Sequence, residues 1–143
     1  MLLYIDDDDI PELLVSYGTE AEGEDLCYYD GENLQIQWIR MGSVNYIEKD
    51  NLVCASSGHM DNSYDTVYTI KKGKFEEVCH GMQEIVEEHP VVHYYWNDEE
   101  VSEDEYYADK NAVFDSNIAS SGTPSNTDGK VYTKQEILDY LNQ

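Results

Sequence analysis

At 143 residues, with 31 acidic and eight basic side chains, the chain carries a formal net charge of -23 at pH 7. That excess argues against binding nucleic-acid phosphates or anionic membranes, both of which attract basic surfaces. A hydrophobic fraction of 41% argues against disorder. A chain of this length buries enough surface to form one domain, 1–143, without covalent staples.

The N-terminal segment reads as a strand at Leu3-Tyr4-Ile5, four consecutive carboxylates at Asp6-Asp7-Asp8-Asp9, and a second strand around Leu13-Leu14-Val15. Met1-Leu2-Leu3 lacks a basic region and a long apolar stretch, so no secretory signal is visible. No run approaches transmembrane length. Turn signals then recur at Asp30-Gly31, Lys49-Asp50-Asn51, Lys72-Gly73 and Asn97-Asp98, each flanked by β-formers. Leu34, Ile36 and Trp38 alternate with Gln35, Gln37 and Ile39, which predicts a strand with one core face and one mostly polar face. Thr66 to Ile70 and Val91 to Trp96 read similarly. Thirteen tyrosines favour strands as well. Together these predict an antiparallel meander of about six to eight strands over residues 1–98.

After Trp96 the period changes. Ser102-Glu103-Asp104-Glu105 is a capping box, predicting a helix to about Ile118 that turns Tyr106, Tyr107, Val113, Phe114 and Ile118 inward. Residues 119–131 read as a flexible loop. Thr133-Lys134-Gln135-Glu136 is a second capping box, opening a final helix with Ile137, Leu138 and Leu141. The expected class is therefore α+β, a β-meander followed by two C-terminal helices within residues 102–143.

The acidic run is the best candidate site. Clustered carboxylates repel one another unless solvent or a cation neutralises them, and no basic residue precedes Arg40. No frame satisfies the EF-hand pattern, but a chain looping between Ile5 and Ile10 would let Asp6, Asp8 and Glu12 converge on a hard cation such as Ca²⁺. Asp9 would then take the tight-turn position, whose left-handed backbone Asp tolerates better than most non-Gly residues, and Asp7 would face solvent or supply a further ligand. A solvated acidic turn is the alternative.

Tyr4-Ile5-Asp6-Asp7-Asp8-Asp9-Ile10-Pro11-Glu12-Leu13 resembles the signature D-x-D-x-D-G-I-P-E-L of uncharacterised secreted or surface proteins of Gram-positive bacteria. Looser landmarks follow at Asp65-Thr66-Val67-Tyr68, Lys72-Gly73-Lys74-Phe75, Val101-Ser102-Glu103-Asp104-Glu105-Tyr106 and Glu136-Ile137-Leu138. The resemblance implies a Ca²⁺ loop on Asp6, Asp8 and Glu12. The chain departs from it with Tyr4 where the first Asp is expected and Asp9 where Gly is expected.

Other chemistry is sparse. There is no phosphate-binding glycine loop, G-x-S-x-G elbow or H-E-x-x-H, and the sequence predicts no enzyme. Cys27, Cys54 and Cys79 sit in apolar strand-like contexts and read as small buried hydrophobes, with one disulfide as the alternative. His59, His80, His89 and His93 read as surface or strand residues. The segments Cys27-Tyr28-Tyr29 and His93-Tyr94-Tyr95-Trp96 read as core, or alternatively as a face for a glycan or protein ligand. The expectation is a non-enzymatic binding or structural module of an extracellular or cell-surface protein, with a possible Ca²⁺ loop. The alternative is a small acidic intracellular protein that binds a basic partner.

Overall fold

The computed structural model describes residues 1–17, 22–29, 31–40, 42–86 and 91–122, together with Thr133, Gln135, Glu136 and Asp139. These residues form two antiparallel sheets. The first has the order β1 (Leu2–Leu3), β2 (Glu12–Ser16), β3 (Glu24–Tyr29), β4 (Leu34–Ile39). The second is built from β5 (Gly42–Ile47), β6 (Leu52–His59), β7 (Asn62–Lys71), β8 (Lys74–Val86), β9 (Val91–Trp96), β10 (Glu99–Val101) and β11 (Ser120–Ser121). Its order is β10-β9-β8-β7-β6-β5-β11. The expected single meander is thus corrected to two sheets.

The division falls at Gly42. A Cβ there would lie 1.9 Å from the Ser56 carbonyl oxygen, so the chain can enter the second sheet this closely only through glycine.

The turns marked at Lys49-Asp50-Asn51, Lys72-Gly73 and Asn97-Asp98 close hairpins, and Gly31 lies between the paired strands β3 and β4, with Asp30 outside the described residues. Lys72 and Gly73 have φ of 52° and 72°, and Asn97 and Asp98 have 49° and 68°. Paired positive φ values of this kind suit the right-handed twist of the flanking strands. A β-bulge between Val67 and Tyr68 shifts the β7–β8 register, pairing Val67 with Cys79 and Tyr68 with Glu77.

The alternation in β4 is real, but its direction is the reverse of the expectation. The β3–β4 register pairs Leu26 with Gln37 and Glu24 with Ile39. The face shared by Leu26, Tyr28 and Ile39 is the one that packs inward. Leu34, Ile36 and Trp38 therefore point outward, at 58%, 56% and 54% exposure.

Two cores lie on opposite faces of the second sheet. One packs Leu3, Ile5, Leu14, Leu26 and Ile39 of the first sheet against Val44, Val53, Ala55 and Ile70 of the second. The other packs Cys54, Val67, Cys79 and Trp96 under the helix α1 (Glu103–Val113) through Tyr106 and Phe114. Tyr106 rests on Gly81, where a Cβ would come within 2.6 Å of its ring.

The capping box of α1 is formed: Glu105 N–H donates to Ser102 Oγ at 3.3 Å, and Ser102 N–H donates to Glu105 Oε2 at 2.9 Å. The helix ends earlier than expected, with Phe114 already extended at the C-cap. Tyr106 and Phe114 are buried as predicted, while Tyr107 and Ile118 are exposed.

The expected α+β class with two C-terminal helices is corrected: the described residues are mostly β and form one helical element, α1. After α1 the chain returns to the second sheet as β11, pairing Ser120 with Tyr46. The box contacts between Thr133 and Glu136 are present, but most of the second expected helix, with Ile137, Leu138 and Leu141, lies outside the described residues. So do residues 123–131 of the expected loop. Among the described residues, no helix is long and apolar enough to cross a membrane.

Candidate metal site

The acidic run is the turn between β1 and β2, in which Leu3 pairs with Glu12 and Leu2 with Leu13. Its backbone folds through two successive side-chain caps. Asp8 N–H donates to Asp6 Oδ1 at 3.1 Å, and Ile10 N–H donates to Asp8 Oδ1 at 2.7 Å. Asp readily accepts from an amide two residues on, which is why it favours turns over regular structure. Asp9 is not among the residues with positive φ, so the expected left-handed turn at that position does not form. Asp7 is exposed, as expected.

The entry to the loop is fixed from the second sheet. Lys49 N–H donates to the Tyr4 carbonyl at 2.9 Å and Asn51 N–H to the Ile5 carbonyl at 2.7 Å. Asn51 is held in turn through its side chain, which exchanges two hydrogen bonds with the Ile70 backbone. Lys49 places its ammonium 6.0 Å from the centre of the Tyr4 ring.

Within this frame Asp6, Asp8 and Glu12 each present a carboxylate oxygen, and all three oxygens lie within 4.8 Å of one another. Ca²⁺ holds its oxygens at 2.3–2.6 Å, so oxygens on opposite sides of one ion lie about 5 Å apart. The spacing fits a single cation. Glu12 is 1% exposed, and its Oε2 accepts from Ile5 N–H at 2.8 Å. Burial pushes its carboxyl up to about 7; the Ile5 amide opposes this, and Asp6 and Asp8 add to it. Asp6 is also raised, mainly by burial. Among the described residues no Lys, Arg or His forms an ion pair with any of the three. The site therefore has hard oxygen donors, the spacing of one small cation, and no ion-paired base among the described residues.

The remaining candidates separate. Cys27, Cys54 and Cys79 are free thiols, the latter two buried. His80 lies between Glu77 Oε1 at 2.6 Å and Asp98 Oδ1 at 3.1 Å, and His93 contacts Glu100 at 2.8 Å. His59 lines a surface hollow with Arg40, Ser57, Gly58 and Tyr64, and His89 lies outside the described residues. The two tyrosine-rich segments do not make one face: Tyr28 and Trp96 are buried and Tyr29 is exposed.

The sequence reading missed a buried network around Asp65 in β7. Its carboxylate accepts from Ser56 Oγ at 2.5 Å and Tyr106 Oη at 2.8 Å, and pairs with Lys110 Nζ at 2.7 Å. The available signal was a lone Asp preceding the apolar-alternating run Thr66-Val67-Tyr68, with Tyr106 and Lys110 four apart on one predicted helix face.

No protein-family model, no curated protein and no solved structure matches the chain.

Proposed function

We propose that this chain is a non-enzymatic binding or structural module of a bacterial surface or secreted protein, stabilised by Ca²⁺ in its N-terminal loop. Asp6, Asp8 and Glu12 would hold the ion, which would supply the positive charge that this part of the protein lacks. The observation that carries the reading is the convergence of three carboxylates on a spacing suited to one cation, with Glu12 buried and in no ion pair among the described residues. The resemblance of residues 4–13 to an aspartate-rich surface-protein signature supports the setting, and a protein or a glycan is the class of ligand expected there.

Ligands that bind only the folded state stabilise it by mass action. Millimolar CaCl₂ should therefore raise the melting temperature above that in NaCl of equal ionic strength, and Asp8→Ala should remove the difference. Equal melting temperatures in the two salts would refute the metal site and leave a solvated acidic turn.

A further inference from the structure

The outer face of the first sheet carries a row of exposed apolar side chains among the described residues. Register places Trp38 beside Asp25 and Asp25 beside Val15, Ile36 beside Cys27, and Leu34 beside Tyr29. Trp38, Ile36, Leu34 and Tyr29 are 47–58% exposed. Adjoining apolar side chains left in water on this scale mark interaction surfaces, whereas scattered ones do not. The patch also ends at a strand edge, because among the described residues β4 is the last strand of its sheet. Natural edge strands are normally guarded by charge, proline or a bulge. Leu34-Gln35-Ile36-Gln37-Trp38-Ile39 has neither charge nor proline, and its pairing with β3 runs without a register shift.

We propose that this face and edge dock an extended segment of a partner protein in which apolar and basic residues alternate, added as a strand beside β4. Strand addition supplies main-chain hydrogen bonds along this edge and sets every second side chain of the newcomer on one face. Its apolar residues continue the row of Leu34, Ile36 and Trp38. Charge selects the partner: a net charge of -23, with Asp25 inside the patch itself, disfavours a second copy of the chain and an anionic membrane and favours a cationic segment. The proposal rests on the binding-module reading and is independent of calcium. The salt comparison tests the loop and the following experiment tests the face, so either can fail alone.

The probe is a blocked octapeptide of alternating Val and Lys, compared with one of alternating Ser and Lys at physiological ionic strength. Trp96 is buried and Trp38 exposed, so a blue shift of tryptophan emission on titration reports the β4 face. The Val peptide should bind at least about tenfold more tightly than the Ser peptide, the effect of one good apolar anchor. It should also slow hydrogen exchange at the β4 amides. Ile36→Lys, on an exposed position, should lose about tenfold in Val-peptide affinity while keeping the wild-type melting temperature. Should Ile36→Lys prove misfolded, exchange protection confined to β4 in the wild type decides the matter. Equal binding of the two peptides would show that charge alone acts and overturn the proposal. A concentration-dependent dimer in sedimentation that Ile36→Lys abolishes would overturn it in favour of a second copy. The same blue shift with phosphatidylcholine vesicles, and none with the Val peptide, would overturn it in favour of a lipid surface.

Discussion

Asp65 and Glu12 are both buried carboxylates, and the protein treats them in opposite ways. Burial alone pushes Asp65 up, but Lys110, Ser56 and Tyr106 outweigh it and hold the carboxyl below its ordinary value. Glu12 accepts from the backbone amides of Ile5 and of its own residue but forms no ion pair among the described residues, and its pKa rises to about 7. A buried charge is tolerated when it is paired and fully hydrogen-bonded, and otherwise tends to become neutral. The chain has eight basic residues and commits one of them, Lys110, to Asp65. The first site is complete from the protein's own side chains. The second has no side-chain counter-charge among the described residues, and its raised pKa favours the protonated form.

The sharpest way to break the contrast is to remove the cation from the complete site. In Lys110→Met, Asp65 stays buried with its charge uncompensated, which typically costs about 3–5 kcal/mol. Urea denaturation at pH 7 should show a loss of that order. Asp65→Asn combined with Lys110→Met should recover part of it, because no charge remains to be buried. A loss below about 1 kcal/mol for Lys110→Met would mean that solvent reaches Asp65, and the distinction between the two sites would fall.

The incomplete site should appear in the pH dependence. The Glu12 carboxyl rises from an ordinary 4.5 to about 7 in the folded chain. Between those values the folded state holds a proton that the unfolded state has lost, so stability falls as pH rises through this window. The full difference is of order 3 kcal/mol, at about 1.4 kcal/mol per pH unit. Glu12→Gln keeps an acceptor for the Ile5 amide without the charge, and its stability should fall less than wild type between pH 5 and 7.5. Because metal ligation requires the carboxylate, excess Ca²⁺ should flatten the wild-type curve and leave Glu12→Gln nearly unchanged. Parallel curves for the two proteins would place an ordinary carboxyl at position 12.

How much of this was legible in the sequence differs between the two regions for a physical reason. The Asp6–Glu12 cluster is local: seven residues and one turn bring its carboxylates together, so spacing sufficed to propose it, although the turn forms through Asp6 and Asp8 caps and without a left-handed Asp9. The Asp65 network is assembled from β6, β7 and α1, and Asp65 and Tyr106 lie 41 residues apart. Local pattern carries no information on such a pairing. The hairpin turns and the Ser102 box were legible because backbone conformation is set there by a few adjacent residues. The inward face of β4 was not, because period 2 gives an alternation without saying which side meets the core. That choice was made by β3, whose buried Leu26 and Tyr28 fix the register. The second sheet was likewise hidden, since Gly42 as a crossing point depends on Ser56, a residue in the next strand.

The smallest of these effects concerns how the complete site is held in place. Both helical partners of Asp65 lie on α1, Tyr106 in its first turn and Lys110 one turn later. The helix spans 11 residues, a length at which isolated helices are marginal in water and depend on caps and packing. Its start is fixed by Ser102, whose hydroxyl takes the Glu105 amide while the Glu105 carboxylate returns to the Ser102 amide. Losing such a cap typically costs about 0.5–2 kcal/mol. Ser102→Ala should fall in that range by urea denaturation, and Ser102→Asp, which caps equally well, should restore the wild-type value. Because the cap acts through the first turn, hydrogen exchange in Ser102→Ala should quicken at residues 105–107 and leave the β1–β2 loop unchanged. Equal quickening in both regions would mean that the two carboxylate sites share one cooperative unit, and the contrast between them would then describe charge alone and not local stability.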